Sequence, residues 1–139
     1  MFEVMNYIDF NGNAKEAVDL YIHAFDVKDA RITLFKDLPS NASRLTPENE
    51  NKIAHANLKL GTFTLMISDT QPENPVKIGE NFTFFLVFDN LIEEQKVYER
   101  LSQNARIIIP MGEQFWSKSY AYLIDAFGIG WQLSCEEQS

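Results

Sequence analysis

The sequence predicts an α+β fold in which one strand–helix–hairpin unit is used twice in tandem. Three observations carry that expectation. Apolar strands at residues 3–10 and 82–88 each run toward an asparagine that opens a helix, Asn13 and Asn90. Each helix is followed by two strand-like segments turning at a glycine, Gly61 in the first half and Gly128 in the second. A segment bearing Pro72, Pro75 and Gly79, residues 71–81, lies between the halves and reads as a linker. The expected arrangement is a single domain over residues 1–139, with modules at about 1–70 and 81–139 and a pocket enclosed between them.

In the first module, period-two alternation over residues 3–10 puts Val4, Asn6, Ile8 and Phe10 on one face and Met5, Tyr7 and Asp9 on the other. Asn13 with Glu16 three residues later has the form of a capping box. Ala14, Ala17, Val18, Tyr21 and Phe25 then follow at helical spacing, so a helix is expected over 14–25. Residues 31–35 read as a strand. The polar stretch 38–51, with Pro39 and Pro47, reads as a surface loop, either a lid or disordered. Segments 53–60 and 63–68 flank Gly61-Thr62 as a hairpin.

The second module repeats the order. Residues 82–88 form a strand, and Asn90 caps a helix whose apolar face includes Val97, Tyr98 and Leu101. Glu93 and Glu94 on that helix read as ordinary solvated acids. A short strand at 106–109 is expected to stop at Pro110, and segments 119–125 and 130–134 form the last hairpin.

Composition bounds the function. With 45% hydrophobic and 13% aromatic residues, the chain has enough apolar material for a packed core. No apolar run approaches the ~20 residues needed to span a bilayer. A net charge of −8 repels phosphate backbones and anionic lipid, so neither nucleic acid nor membrane is expected as a partner. The N-terminus shows no basic segment leading into an apolar one, and the single Cys135 allows no internal disulfide, so a cytoplasmic protein is expected.

Several motifs, in order, resemble the PhnB-like branch of the vicinal oxygen chelate (glyoxalase/bleomycin resistance/dioxygenase) superfamily. They are Phe10-Asn-Gly-Asn-Ala-Lys-Glu-Ala17 with Tyr21 and Phe25, Lys52-Ile-Ala-His-Ala-Asn-Leu58, and Leu65-Met-Ile-Ser-Asp69. Pro110-Met111 through Phe115-Trp116, and Asp125-Ala-Phe-Gly128 with Trp131, complete the set. The resemblance implies two tandem βαβββ modules forming a cupped mixed sheet around a central cavity, in a homodimer. Some relatives carry a 3-demethylubiquinone 3-methyltransferase label, but this chain lacks the Gly-rich strand-to-helix turn of a common nucleotide site.

Enzymes similar to this chain hold a divalent metal with His and Glu at four strand positions, as a Lewis acid toward a bidentate oxygen substrate. Carried over by spacing, those positions fall on Asn6, Met66, Phe82 and Gln132. Met66 and Phe82 offer nothing to a hard cation, so no metal and no cofactor are expected.

The expected ligand pocket comprises Asn6, Tyr7, His55, Met66, Phe82, Phe84, Trp116 and Gln132. His55 is the candidate general base or hydrogen-bond donor, against the plainer reading of a histidine bonded to a neighbouring strand. Trp116 lies in a polar turn and is expected to wall the pocket rather than cap the core. His23 reads as a surface residue, Cys135 as inert, and Trp131 and Phe127 as core. The leading expectation is metal-free binding of a small aromatic or amphipathic molecule. The alternatives are a lyase-, isomerase- or transferase-type enzyme of the superfamily built around His55, and a dimeric scaffold with no ligand.

Overall fold

A computed structural model describes residues 1–39 and 45–136. The chain divides into two units, residues 1–77 and 78–139, with the division inside the 71–81 segment. Each unit is a helix laid on a four-stranded mixed sheet.

The first unit contains β1 (Asn6–Phe10), α1 (Ala14–Phe25), β2 (Ala30–Leu34), β3 (Ile53–Leu60) and β4 (Phe63–Asp69). The strand order is β1-β4-β3-β2, with β1 parallel to β4 and the other pairs antiparallel. Helix α1 buries Ala14, Ala17, Val18, Tyr21 and Ala24 against β3 and β4, which matches the expected stripe except that Ala24 takes the buried place and Phe25 is only partly covered. Alanine at three of these five positions lets the helix lie close to the sheet. Register places Ile8, Leu65, Ile67, Ala56 and Leu58 on the face beneath the helix.

Three local expectations differ from what is observed. The first strand begins at Asn6 rather than residue 3. Asn13 makes no side-chain cap bond. Instead, the buried Asp69 carboxylate accepts from the Ala14 N–H at 2.9 Å and from the Ile53 N–H at 3.0 Å. One acid therefore satisfies an orphan donor of α1, favours the helix dipole and pins the start of β3. A short 3₁₀ turn at Phe35–Asp37, where the end of a strand was expected, precedes the 38–51 stretch. Asn49 then ties the later turn together, accepting from the Thr46 N–H at 2.8 Å and donating to Gln71 at 3.2 Å. Residues 40–44 of that loop lie outside the described residues.

The second unit contains β5 (Thr83–Phe88), α2 (Leu91–Leu101), β6 (Arg106–Gln114), β7 (Ser117–Ile124) and β8 (Gly130–Cys135), in the order β5-β8-β7-β6. Asn90 caps α2 as expected, accepting from the Glu93 N–H at 2.8 Å. Strand β6 does not stop at Pro110 but continues to Gln114. Because β6 is an edge strand, a residue without an N–H can sit there, and the register shifts between Ile109 and Gly112 absorb the break. The β7–β8 turn is locked by Asp125, which accepts from the Phe127 and Ile129 N–H groups and from the Trp131 indole at 2.9 Å. Trp131, Leu133, Cys135, Leu123 and Ala121 form the core beneath α2. Among the described residues no helix is long and apolar enough to cross a membrane.

Candidate functional site

Each sheet has one face covered by its helix and one face without a helix. Strand register sorts every candidate residue onto one or the other, since alternate residues point to opposite sides.

In the first unit the uncovered face is polar. Tyr7 pairs with Met66, Met66 with Asn57, and Asn57 with Arg31; one step along lie Asp9, Ser68, His55 and Thr33. The Tyr7 hydroxyl donates to Ser68 Oγ at 3.1 Å, and Ser68 donates in turn to Asp9 Oδ1 at 2.9 Å. The direction of this chain is fixed by chemistry, because an ionised carboxylate only accepts. The Tyr7 and His55 rings lie 5.8 Å apart, so His55 belongs to the same group of side chains. Ser68 is buried and Tyr7 is half exposed.

In the second unit the uncovered face is aromatic. Tyr120 is buried, with Trp116 against its edge at 4.4 Å and Phe85 at 6.5 Å. The Tyr120 hydroxyl donates to Gln132 Oε1 at 2.5 Å, and Gln132 Nε2 donates to Thr83 Oγ1 at 2.8 Å. The shorter contact suits O–H···O and the longer one N–H···O, which agrees with that amide orientation. Burial, and then the nearby Tyr122, raise the Tyr120 pKa, so its phenol stays protonated and donating. Trp116 also lines a surface cleft of about 490 Å³, with Glu113, Gln114, Phe115, Ser117, Lys118 and Glu136. That volume lies within the range of small-molecule sites.

The eight expected pocket residues are thus sorted unevenly. Tyr7, His55 and Met66 share one uncovered face, and Trp116 and Gln132 share the other. Asn6 is on the helix side of its sheet, because it pairs with the buried Leu65. Phe84 is likewise on the helix side, stacked on the buried Trp131 with ring centres 4.7 Å apart. Phe82 lies before β5, exposed, with its ring edge-on to Phe84. These three placements correct the expectation of one shared pocket lining. Asp9, Ser68, Tyr120 and Phe85 are the neighbours that sequence reasoning did not select. Period-two alternation from Tyr7 to Asp9 and from Met66 to Ser68 was the available signal for two of them; Phe85 and Tyr120 follow only from the strand register.

The same register tests the metal that the resemblance implies. The side chains adjacent on the uncovered faces at the carried-over positions are Tyr7 with Met66, and Phe85 with Gln132. Among the described residues no three His, Cys, Asp or Glu side chains converge as a metal site. A phenol, a thioether, a phenyl ring and a neutral amide do not fit a hard divalent ion.

One acid outside both faces is unusual. Glu94, on the sheet-facing side of α2, is fully buried, and neither carboxylate oxygen has a hydrogen-bond partner of ordinary geometry. Burial raises its pKa; the nearby Ser119 hydroxyl, short of a bond of ordinary geometry, offsets part of that. The expectation of a solvated Glu94 is therefore wrong. Its spacing to Val97 and Leu101 puts it on the helix's buried stripe.

Comparisons with known proteins follow the architecture. A family model described as 3-demethylubiquinone-9 3-methyltransferase matches residues 3–134. The chain is similar to the crystal structure of protein PA1353 from Pseudomonas aeruginosa, at 28% identity and a TM-score of 0.83, over 99% of this chain and 100% of that one. It is also similar to a PhnB protein from Bacillus cereus, at 21% identity and a TM-score of 0.73, over 96% and 99% of the two chains. FosX, a fosfomycin resistance protein from Listeria monocytogenes, shares the fold at 9% identity and a TM-score of 0.64, over 98% and 94%.

Proposed function

The chain belongs to the family described as 3-demethylubiquinone-9 3-methyltransferase, within the PhnB-like branch of the vicinal oxygen chelate superfamily, and from that premise we propose that it binds a small aromatic or amphipathic molecule without a metal. The observation that carries this reading is the aromatic set on the uncovered face of the second sheet. Trp116 and Phe85 are about half exposed there, beside the buried Tyr120 and the Tyr120–Gln132–Thr83 chain. Large apolar rings held against a polar chain suit a flat molecule with one polar group.

Methyl transfer is not the chemistry these residues favour. One N-terminal N–H of each helix is already engaged, that of Ala14 by Asp69 and that of Glu93 by Asn90, and no Gly-rich turn precedes either helix.

The second reading, an enzyme of lyase, isomerase or transferase type, is favoured by one observation. His55 lies against Tyr7, whose hydroxyl leads to Ser68 and Asp9. In that reading His55 is the candidate base. A cytoplasmic homodimer is part of the proposal, and light scattering of the purified protein tests the dimer.

The binding test uses the two tryptophans. Trp131 is fully buried and Trp116 is not, so a ligand on this face alters the emission of Trp116 alone. Titration with 2-naphthol is expected to give a saturable fluorescence change that vanishes in Trp116→Phe. No saturable change, or an equal change in the variant, overturns the reading. Turnover of any compound that depends on His55 would move the conclusion to the enzyme.

A further inference from the structure

We propose that the uncovered face of the first sheet is a site for an organic ammonium group, with Asp9 as its counter-charge and the Tyr7 ring as its wall. The proposal deepens the small-molecule reading by naming a ligand class for Tyr7, His55 and Met66.

The argument starts from the direction of the hydrogen-bond chain. Tyr7 donates to Ser68, and Ser68 donates to Asp9 Oδ1, so each hydroxyl proton is committed inward. What the chain presents outward is the remaining acceptor capacity of a carboxylate held in one orientation. Ser68, which fixes that orientation, is only 7% exposed, so water does not readily take its place.

Charges around Asp9 leave its carboxylate available. On the same face, Arg31 lies 4.0 Å from Asp29 and is itself exposed, while Lys59 donates to Thr64 at 3.0 Å. Among the described residues Asp9 makes no ion pair. The ring of Tyr7 is half exposed and its hydroxyl reaches Ser68, which brings the phenol alongside Asp9 two residues on. An electron-rich face next to one carboxylate attracts a cation through both.

The count of donors selects the kind of cation. Calcium and magnesium take six or more oxygen ligands, and here there is one carboxylate among hydroxyls, a thioether and rings. A monovalent ammonium carried on an apolar body needs less: one anionic acceptor and one aromatic wall, with Met66 to meet its hydrocarbon. The chain's net charge of −8 favours the encounter.

The test compares benzylamine with benzyl alcohol, which differ in the charged group but not in the ring. Amide chemical shifts are followed by NMR during each titration. The wild-type protein is expected to bind benzylamine about tenfold more tightly, with shifts at Tyr7, Asp9, His55 and Ser68. Asp9→Asn is expected to reduce that preference to near unity. Ser68 is a positioning residue, so Ser68→Ala should lower the preference and Ser68→Thr should restore it. Equal binding of the two probes by the wild type, a preference that survives Asp9→Asn, or no shifts on β1, β3 and β4 overturns the proposal. Trp116 fluorescence reports the aromatic face separately, so either site can fail while the other stands.

Discussion

Replacing Glu94 by leucine is expected to stabilise the protein, and by more at high pH than at low. Both carboxylate oxygens are buried without a partner, and a buried polar group in that condition costs about 1–3 kcal/mol. Leucine removes the polar atoms while keeping comparable bulk against Val97, Leu101 and the sheet. The pH dependence comes from linkage. Burial raises the folded-state pKa above its ordinary value of 4.5. The folded protein therefore holds the proton more tightly than the unfolded chain. Stability is full below that ordinary value and falls as pH rises toward the folded pKa, by up to about 1.4 kcal/mol per pH unit. Above the folded pKa the loss is complete and constant. The difference between wild type and Glu94→Leu isolates this contribution, because other titrating groups cancel. At about pH 5 the variant should gain about 1–3 kcal/mol, with the gain growing on the way to about pH 8. For a chain of this size each kcal/mol corresponds to roughly 3–5 °C in Tm. Thermal and urea unfolding across that pH range measure it, with Glu93→Gln as an exposed control on the same helix. A gain that does not change with pH, or a loss of stability at every pH, refutes the reasoning.

Other outcomes follow from the same structure. Asp69→Ala should cost about 3 kcal/mol in urea unfolding, because two buried N–H groups lose a charged acceptor and α1 loses its favourable end charge. Gly128→Ala should destabilise by about 1–2 kcal/mol: φ is +88°, and an added Cβ would come 2.8 Å from Ile78 Cγ2. Trp131→Phe should cost about 2–4 kcal/mol, since it opens space in the core and leaves Asp125 without its indole donor. Trp116→Ala should change stability by less than about 1 kcal/mol while weakening 2-naphthol binding measured by calorimetry, a combination that separates recognition from folding.

The repeat was legible because its signals are local. Glycine turns, helical stripes and the Asn90 cap each depend on residues within a few positions of one another. The parts that escaped depend on distant partners or on parity. Asp69 replaces Asn13 as the cap of α1 from 55 positions away, where no spacing rule reaches. Pro110 was read as a stop because the edge position of β6 is a property of the sheet and not of the segment. At the candidate site the distinction is one residue wide. Choosing Phe84 in place of Phe85 moves a side chain from the uncovered face to the core, and Asn6 likewise lies one residue from Tyr7 on the opposite side of its strand. Glu94 illustrates the opposite case: its spacing to Val97 and Leu101 was visible, and charge alone argued it outward.

Strands β1 and β5 each end their sheet, with one row of backbone donors and acceptors unused within the module. On β5 that row sits beside the exposed side chains of Phe85 and Val87. An open edge of that kind can template another strand, and mutual repulsion between like-charged molecules opposes such pairing. That repulsion vanishes near the isoelectric point of about 4.7. Colloidal behaviour should therefore be asymmetric in pH, with clear solutions above neutrality and clouding under mild acid. The edge that helps define the sheet also sets the conditions under which the protein can be stored.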